Sequence, residues 1–181
     1  MTRQRAFRPE ELDGERLELY RAVAAGPRAK GPFRLVSEEG VLLGPFNEFL
    51  LSPRVGDALQ RLGAAVRYES GLSDRVREMA ILVVAAAWDS AFERHAHEAV
   101  GRTVGLTDRE MAAIAEGAPL KLEDPYEAAA LRLTRAMVAG DVDDGTWASC
   151  VPPLEREAVF ELTTLVGYYA TLALQMRVFR V

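Results

Sequence analysis

The 181-residue chain has one cysteine, two histidines, no long apolar run and no excess of positive charge, and each scarcity removes a class of protein. A lone thiol, Cys150, cannot close an intrachain disulfide or supply a dithiol redox pair. The longest uncharged stretch, Leu162 to Met176, has about 15 residues and carries threonines, two tyrosines and a glutamine. That falls short of the ~18 apolar residues of a membrane span, so a buried helix and no membrane association are expected. The N-terminus begins basic but lacks the apolar core of a secretion signal, and a cytoplasmic location is expected. Acidic side chains outnumber basic ones 27 to 22, the two signs are well mixed, and the net charge is −5. No basic stripe exists to neutralise a phosphate backbone, so nucleic acid is not an expected partner.

What the chain has in plenty is helix signal. Pro9 is placed to open a helix running to about Ala25, where Gly26 and Pro27 stop it. Residues 26–46, GPRAKGPFRLVSEEGVLLGPF, hold four glycines and three prolines and predict an extended arm. Ser52 and Pro53 start a helix on which Val55, Leu59, Leu62 and Val66 share one face, expected to be core. From Ser73 or Asp74 the chain is apolar on almost every side as far as Trp88, as in the centre of a bundle or oligomer. Ser90-Ala-Phe-Glu93 has the form of a capping box that begins a new helix, and Thr107 to Glu110 has the same form. Asp124-Pro125 opens another helix, Asp143 or Asp144 caps a turn around Trp147, and Pro152-Pro153 start the last long helix. Strand alternation is scarce. The expected fold is all-α, a bundle of about six to eight helices forming one structural domain, with residues 1–42 as an N-terminal helix and arm and 43–181 as the main body.

The two histidines, His95 and His97, sit beside Glu93. At ~100° per residue, Glu93 and His97 lie ~40° apart on one helix face, while His95 lies ~200° from His97. Only His97 shares a face with Glu93. A carboxylate one turn before an imidazole raises its proton affinity and orients it, which suits a general acid or base near neutral pH. The same spacing also serves a plain amphipathic helix whose Glu93 merely satisfies the helix start. Glu78 would be ~22 Å away along an unbroken helix and joins the pair only if the chain bends at Asp89-Ser90. Two rings converging on zinc through His-x-His would suit a strand better than this helix, so no metal is expected.

The stretch from GPFNEFLLSPRVG through LSDRVREMAILVVAAAWDSAFERHAHEAVGRTVGLTDREMAAI to LVGYYATLAL resembles the carboxymuconolactone decarboxylase family, which includes the alkylhydroperoxidase-D-like proteins. The resemblance implies the all-α fold of that group and a homo-oligomer, a trimer or hexamer. The peroxidase branch carries Glu, then C-x-x-C, then His; on this chain those positions fall on Glu78, Ser90, Glu93 and His97. Both thiols are missing, which disfavours an alkylhydroperoxidase-like peroxide-reducing function. The decarboxylase branch implies a cofactor-free lyase acting on a small organic acid or lactone, with His97 as proton shuttle oriented by Glu93 or Glu78. Ser90, Arg75 and Tyr168 are the residues expected to bind substrate; Arg77, Arg94 and Tyr169 are further candidates. A non-catalytic helical oligomer is the remaining alternative, with residues 79–88 and the last helix as subunit contacts.

Overall fold

A computed structural model describes residues 3–181, in which eight α-helices follow one another with no strand; one antiparallel bridge joins Val36 to Leu42. They are α1 (Gly14–Ala24), α2 (Phe46–Phe49), α3 (Pro53–Tyr68), α4 (Asp74–Ala87), α5 (Ala91–Thr103), α6 (Asp108–Ala115), α7 (Pro125–Ala139) and α8 (Asp144–Phe179). The central member is α4, which packs against α5, α6, α7 and α8. Ten consecutive residues, Val76 to Ala85, are buried, so its all-round apolar character is satisfied within one chain rather than by a neighbouring subunit. Among the described residues, no helix is long and apolar enough to cross a membrane.

Local chemistry accounts for most boundaries. Ser73 accepts a hydrogen bond from the Val76 amide at 3.2 Å and starts α4. Thr107 and Glu110 form the reciprocal capping box at the start of α6, Asp124 caps α7 and Asp143 caps α8. Gly140, at φ 97°, ends α7 in the left-handed conformation that a side chain would resist.

Four expectations are corrected. Pro9–Glu11 form only a single 3-10 turn, and α1 begins at Gly14, because Leu12 and Asp13 are extended. The segment 26–46 is not a free arm: it contains a 3-10 turn, Pro27–Lys30, and buries Arg28, Leu35 and Leu42. Together with Phe7, Leu19 and Val23 from farther upstream, Leu35 and Leu42 join the same apolar core as α4 and α8. The stretch capped by Asp143 is a helix from Asp144 rather than a single turn, and the last long helix follows a kink at Glu155 (φ 63°, ψ 161°), a few residues past its expected start at Pro152-Pro153, where the prolines have already removed amide donors. The fourth correction concerns α3, whose Val55 and Leu62 are 59 % and 40 % exposed.

The buried side of α3 carries instead Gly56, Gln60, Gly63 and Val66. Its glycines permit close approach: a Cβ at Gly56 would lie 2.3 Å from the Phe49 carbonyl oxygen. Backbone cannot yield as a side-chain tip can, so Gly56→Ala is expected to cost about 1–3 kcal/mol. Urea unfolding checks this, and an unchanged midpoint would contradict it.

Candidate active site

The turn between α4 and α5 creates the site. Trp88 ends α4, Asp89 takes φ 50°, and α5 sets off from Ala91 in a new direction. The bend brings His97 back onto α4, where its Nδ1 lies 2.6 Å from Glu78 Oε2. One turn earlier on α5, Glu93 places Oε2 3.3 Å from His97 Nε2. Glu78, Glu93 and His97 are 2 %, 4 % and 4 % exposed. Glu93 is therefore no helix cap: Ser90 makes no side-chain cap bond, and the carboxylate turns inward to the ring. His95 is exposed.

Two more side chains complete the cluster: Tyr169, a candidate from the sequence, and Arg67, which the sequence did not single out. Arg67, at the end of α3, places Nη2 3.3 Å from Glu78 Oε1 and donates from Nη1 to the Tyr169 hydroxyl at 3.0 Å. The Tyr169 ring stands edge-on to His97, with centroids 5.1 Å apart. Each group's burial is offset by a partner. Burial by itself would strip the proton from His97, but the charge and hydrogen bond of Glu78, aided by Glu93, outweigh both burial and the nearby Arg67 and raise its pKa. For Glu78, burial works toward protonation, while His97, Arg67 and Arg77 hold its pKa below the usual carboxylate range. Tyr169 is pushed up by burial and stays a neutral hydroxyl. With Glu78 hydrogen-bonded at Nδ1, where Arg67 Nη1 also comes within 3.4 Å, and the Glu93 carboxylate 3.3 Å from Nε2, the arrangement suits an imidazolium.

These shifts fix a pH dependence of stability. His97, with its raised pKa, contributes fully below its ordinary 6.5 and loses that contribution as pH climbs through the raised value. Glu78, with its lowered pKa, contributes fully above 4.5 and loses it as pH falls through the lowered value. The cluster's stabilisation should thus be flat between those ordinary values and decline on either side. In His97→Gln the alkaline decline should shrink; melting curves from pH 4 to 10 test this, and an identical alkaline limb in both proteins would contradict it.

His97 and Glu93 open onto a cavity of about 180 Å³, with Arg67, Tyr168 and Tyr169 on its wall. Phe33, Phe46, Phe92 and Leu172 supply apolar surface, and Pro27 to Phe33 contribute a whole stretch of lining from upstream of α2. Glu78 does not line it and stands behind the ring. Of the residues expected to bind substrate, Tyr168 reaches the cavity; Ser90 and Arg75 do not. Ser90 lines a separate depression beside Trp88 and Arg177. Arg75 is committed elsewhere, forking onto Glu127 at 2.7 and 3.1 Å and bonding Glu110 at 2.8 Å, which ties α4 to α6 and α7. Arg77 pairs with Asp74 and with the Leu72 carbonyl, and Arg94 is exposed. Cys150 is buried in α8 and is not part of the cavity wall.

Fold and site together define an all-α bundle with a carboxylate–imidazole–carboxylate cluster on a cavity wall. A solved structure of similar fold is a protein of unknown function from Agrobacterium tumefaciens, described as a candidate antioxidant defence protein AhpD. The match has a TM-score of 0.66 and 20 % identity and covers 76 % of this chain and 96 % of that one. No curated protein matches the chain in sequence. The sequence model of the carboxymuconolactone decarboxylase family matches residues 53–136, from the start of α3 to near the end of α7.

Proposed function

We propose that the protein is a cofactor-free acid–base enzyme of lyase type acting on a small organic acid or lactone. The observation that carries this reading is the position of Glu93. It faces the cavity and lies 3.3 Å from His97 Nε2, while the ring is held at Nδ1 by Glu78, which does not line the cavity. Glu93 is the group that exchanges a proton with substrate, His97 stores it, and Glu78 with Arg67 sets the ring's orientation and charge. In a decarboxylation, the C–C bond to the carboxylate breaks, carbon dioxide leaves, and the electron pair remains on the adjacent carbon as an enolate. His97 passes its Nε2 proton through Glu93 to that carbon, leaving a neutral ring and an ionised Glu93, and solvent restores the ring's proton. The cavity is smaller than the roughly 300–1,000 Å³ of drug-sized sites, which suits a compact substrate.

Thiol peroxide chemistry has less support. Glu93 stands where the peroxidase pattern has a thiol, and the one cysteine is 1 % exposed in α8. A homo-oligomer is the assembly we expect, since Val55 and Phe160 (72 % exposed) leave apolar surface uncovered on a single chain. The test of function is nuclear magnetic resonance of β-keto acids and unsaturated lactone acids incubated with the protein in heavy water. Decarboxylation or C–H exchange should be seen, and should survive Cys150→Ser. Peroxide consumption that disappears in Cys150→Ser, with no exchange on any acid, would overturn the reading.

A further inference from the structure

Arg28 is a buried cation that pairs with no carboxylate among the described residues. Its side chain comes from the 3-10 turn Pro27–Lys30, upstream of the family-matched segment, and the residue is 6 % exposed. Its one hydrogen bond goes from Nη1 to the neutral Gln60 Oε1 at 2.7 Å, and its guanidinium lies 5.5 Å from the centre of the Phe46 ring. The other buried arginine-rich contacts differ: Arg67 has Glu78, and Arg77 has Asp74. Burying a guanidinium without a counter-charge costs several kcal/mol in general, so such a group is expected to meet an anion in the working protein.

A second observation points the same way. Among the described residues, the buried side-chain donors without a protein partner are Arg28 Nη2, Arg67 Nε and the Tyr168 hydroxyl. They come from three separate segments, and all three residues line the cavity that holds Glu93 and His97, with the donor atoms themselves covered just beneath its surface. Two of them converge over α3, where a Cβ at Gly63 would fall 2.2 Å from the Tyr168 hydroxyl and 2.5 Å from Arg28 Nη2. Gly63 leaves them that space. Donors gathered this way match a ligand rich in acceptors and negative charge, which reaches them by a small shift of the side chains that cover them.

We infer that Arg28, with the Tyr168 hydroxyl and Arg67 Nε, forms the subsite that recognises the substrate's carboxylate, so that the chain's ligands are carboxylate monoanions with a small apolar body rather than neutral lactones. The guanidinium supplies a fork matched to a planar carboxylate, Tyr168 adds a neutral donor, and Phe46 holds the fork from behind. This subsite belongs to the cavity of Glu93 and rests on the acid–base reading, but binding and turnover can be measured apart.

The test is calorimetric titration of acetate and benzoate, with benzamide as the neutral isostere of benzoate, into the wild-type protein and three variants checked for fold by circular dichroism. At least one carboxylate should bind the wild type, and Glu93→Gln should retain that binding. Benzamide should not bind. Arg28→Gln should weaken carboxylate binding roughly 10- to 100-fold, the scale of a charge-assisted contact. Tyr168→Phe, which keeps the ring and the packing, should weaken it severalfold. Failure of both carboxylates to bind the wild type, equal binding by Arg28→Gln, or equal binding of benzamide and benzoate would each overturn the subsite. Carboxylate binding that depends on Arg28, in a protein that turns over no acid, would uphold the subsite and sink the acid–base reading; full turnover of an acid in Arg28→Gln would do the reverse.

Discussion

Glu93→Gln is expected to lower turnover by about 10²- to 10⁴-fold, the range usually lost with a general acid–base group. Glutamine has the same size and can still hydrogen-bond the ring, so the fold and the cavity should persist. What it cannot do is carry a proton between His97 Nε2 and a substrate atom. The loss should therefore fall on kcat and leave KM nearly unchanged, as for an interaction made in the transition state alone. The bond at 3.3 Å from Glu93 Oε2 to Nε2 is the contact at stake. Steady-state kinetics on any acid that the protein consumes would decide the matter, and a variant within threefold of wild type would remove Glu93 from the chemistry.

The second large effect concerns stability. Glu78→Ala removes the carboxylate that faces both His97 Nδ1 at 2.6 Å and Arg67 Nη2 at 3.3 Å. Breaking one member of a buried charge network strands its partners, which costs about 3–5 kcal/mol. At roughly 2–4 °C per kcal/mol for a chain of this size, melting should fall by on the order of 10 °C. The cost should be strongly non-additive: combining Glu78→Leu with Arg67→Met and His97→Leu exchanges the network for apolar packing and should regain much of the loss. A triple variant whose destabilisation equals the sum of its three single changes would contradict a coupled network.

How much of this was legible in the sequence follows from the range over which each signal acts. Caps are local, so Thr107 with Glu110 and Asp124 with Pro125 announce their helices from four residues. Glu93 and His97 lie one turn apart and are readable as a pair, and the Asp89 bend that adds Glu78 is foreshadowed by a change of pattern at that point. Arg67 and Arg28 were not readable, because each meets its partners only through tertiary packing, with Glu78 and Gln60 respectively 11 and 32 residues away in sequence. On α3, hydrophobic periodicity was right for Val66 and Leu59 and wrong for Val55 and Leu62. The helix buries Gly56 and Gly63 because Phe49 and Tyr168 press against it there, and the small residues, rather than Val55 and Leu62, marked the inner side. The capping-box form at Ser90 misled for a related reason: a glutamate at the right spacing had a stronger partner in His97 than in the helix amides. Arg75, which looked available to an anion, is consumed by Glu110 and Glu127, which lie 35 and 52 residues downstream.

The most direct measurement is nitrogen-15 magnetic resonance of the His97 ring in a His95→Gln background, where a single imidazole remains. At pH 7 both Nδ1 and Nε2 should show protonated-nitrogen shifts, and the proton should be lost only above the ordinary histidine range. A neutral ring at pH 7, with one nitrogen bare, would contradict the imidazolium between two carboxylates on which the chemistry depends.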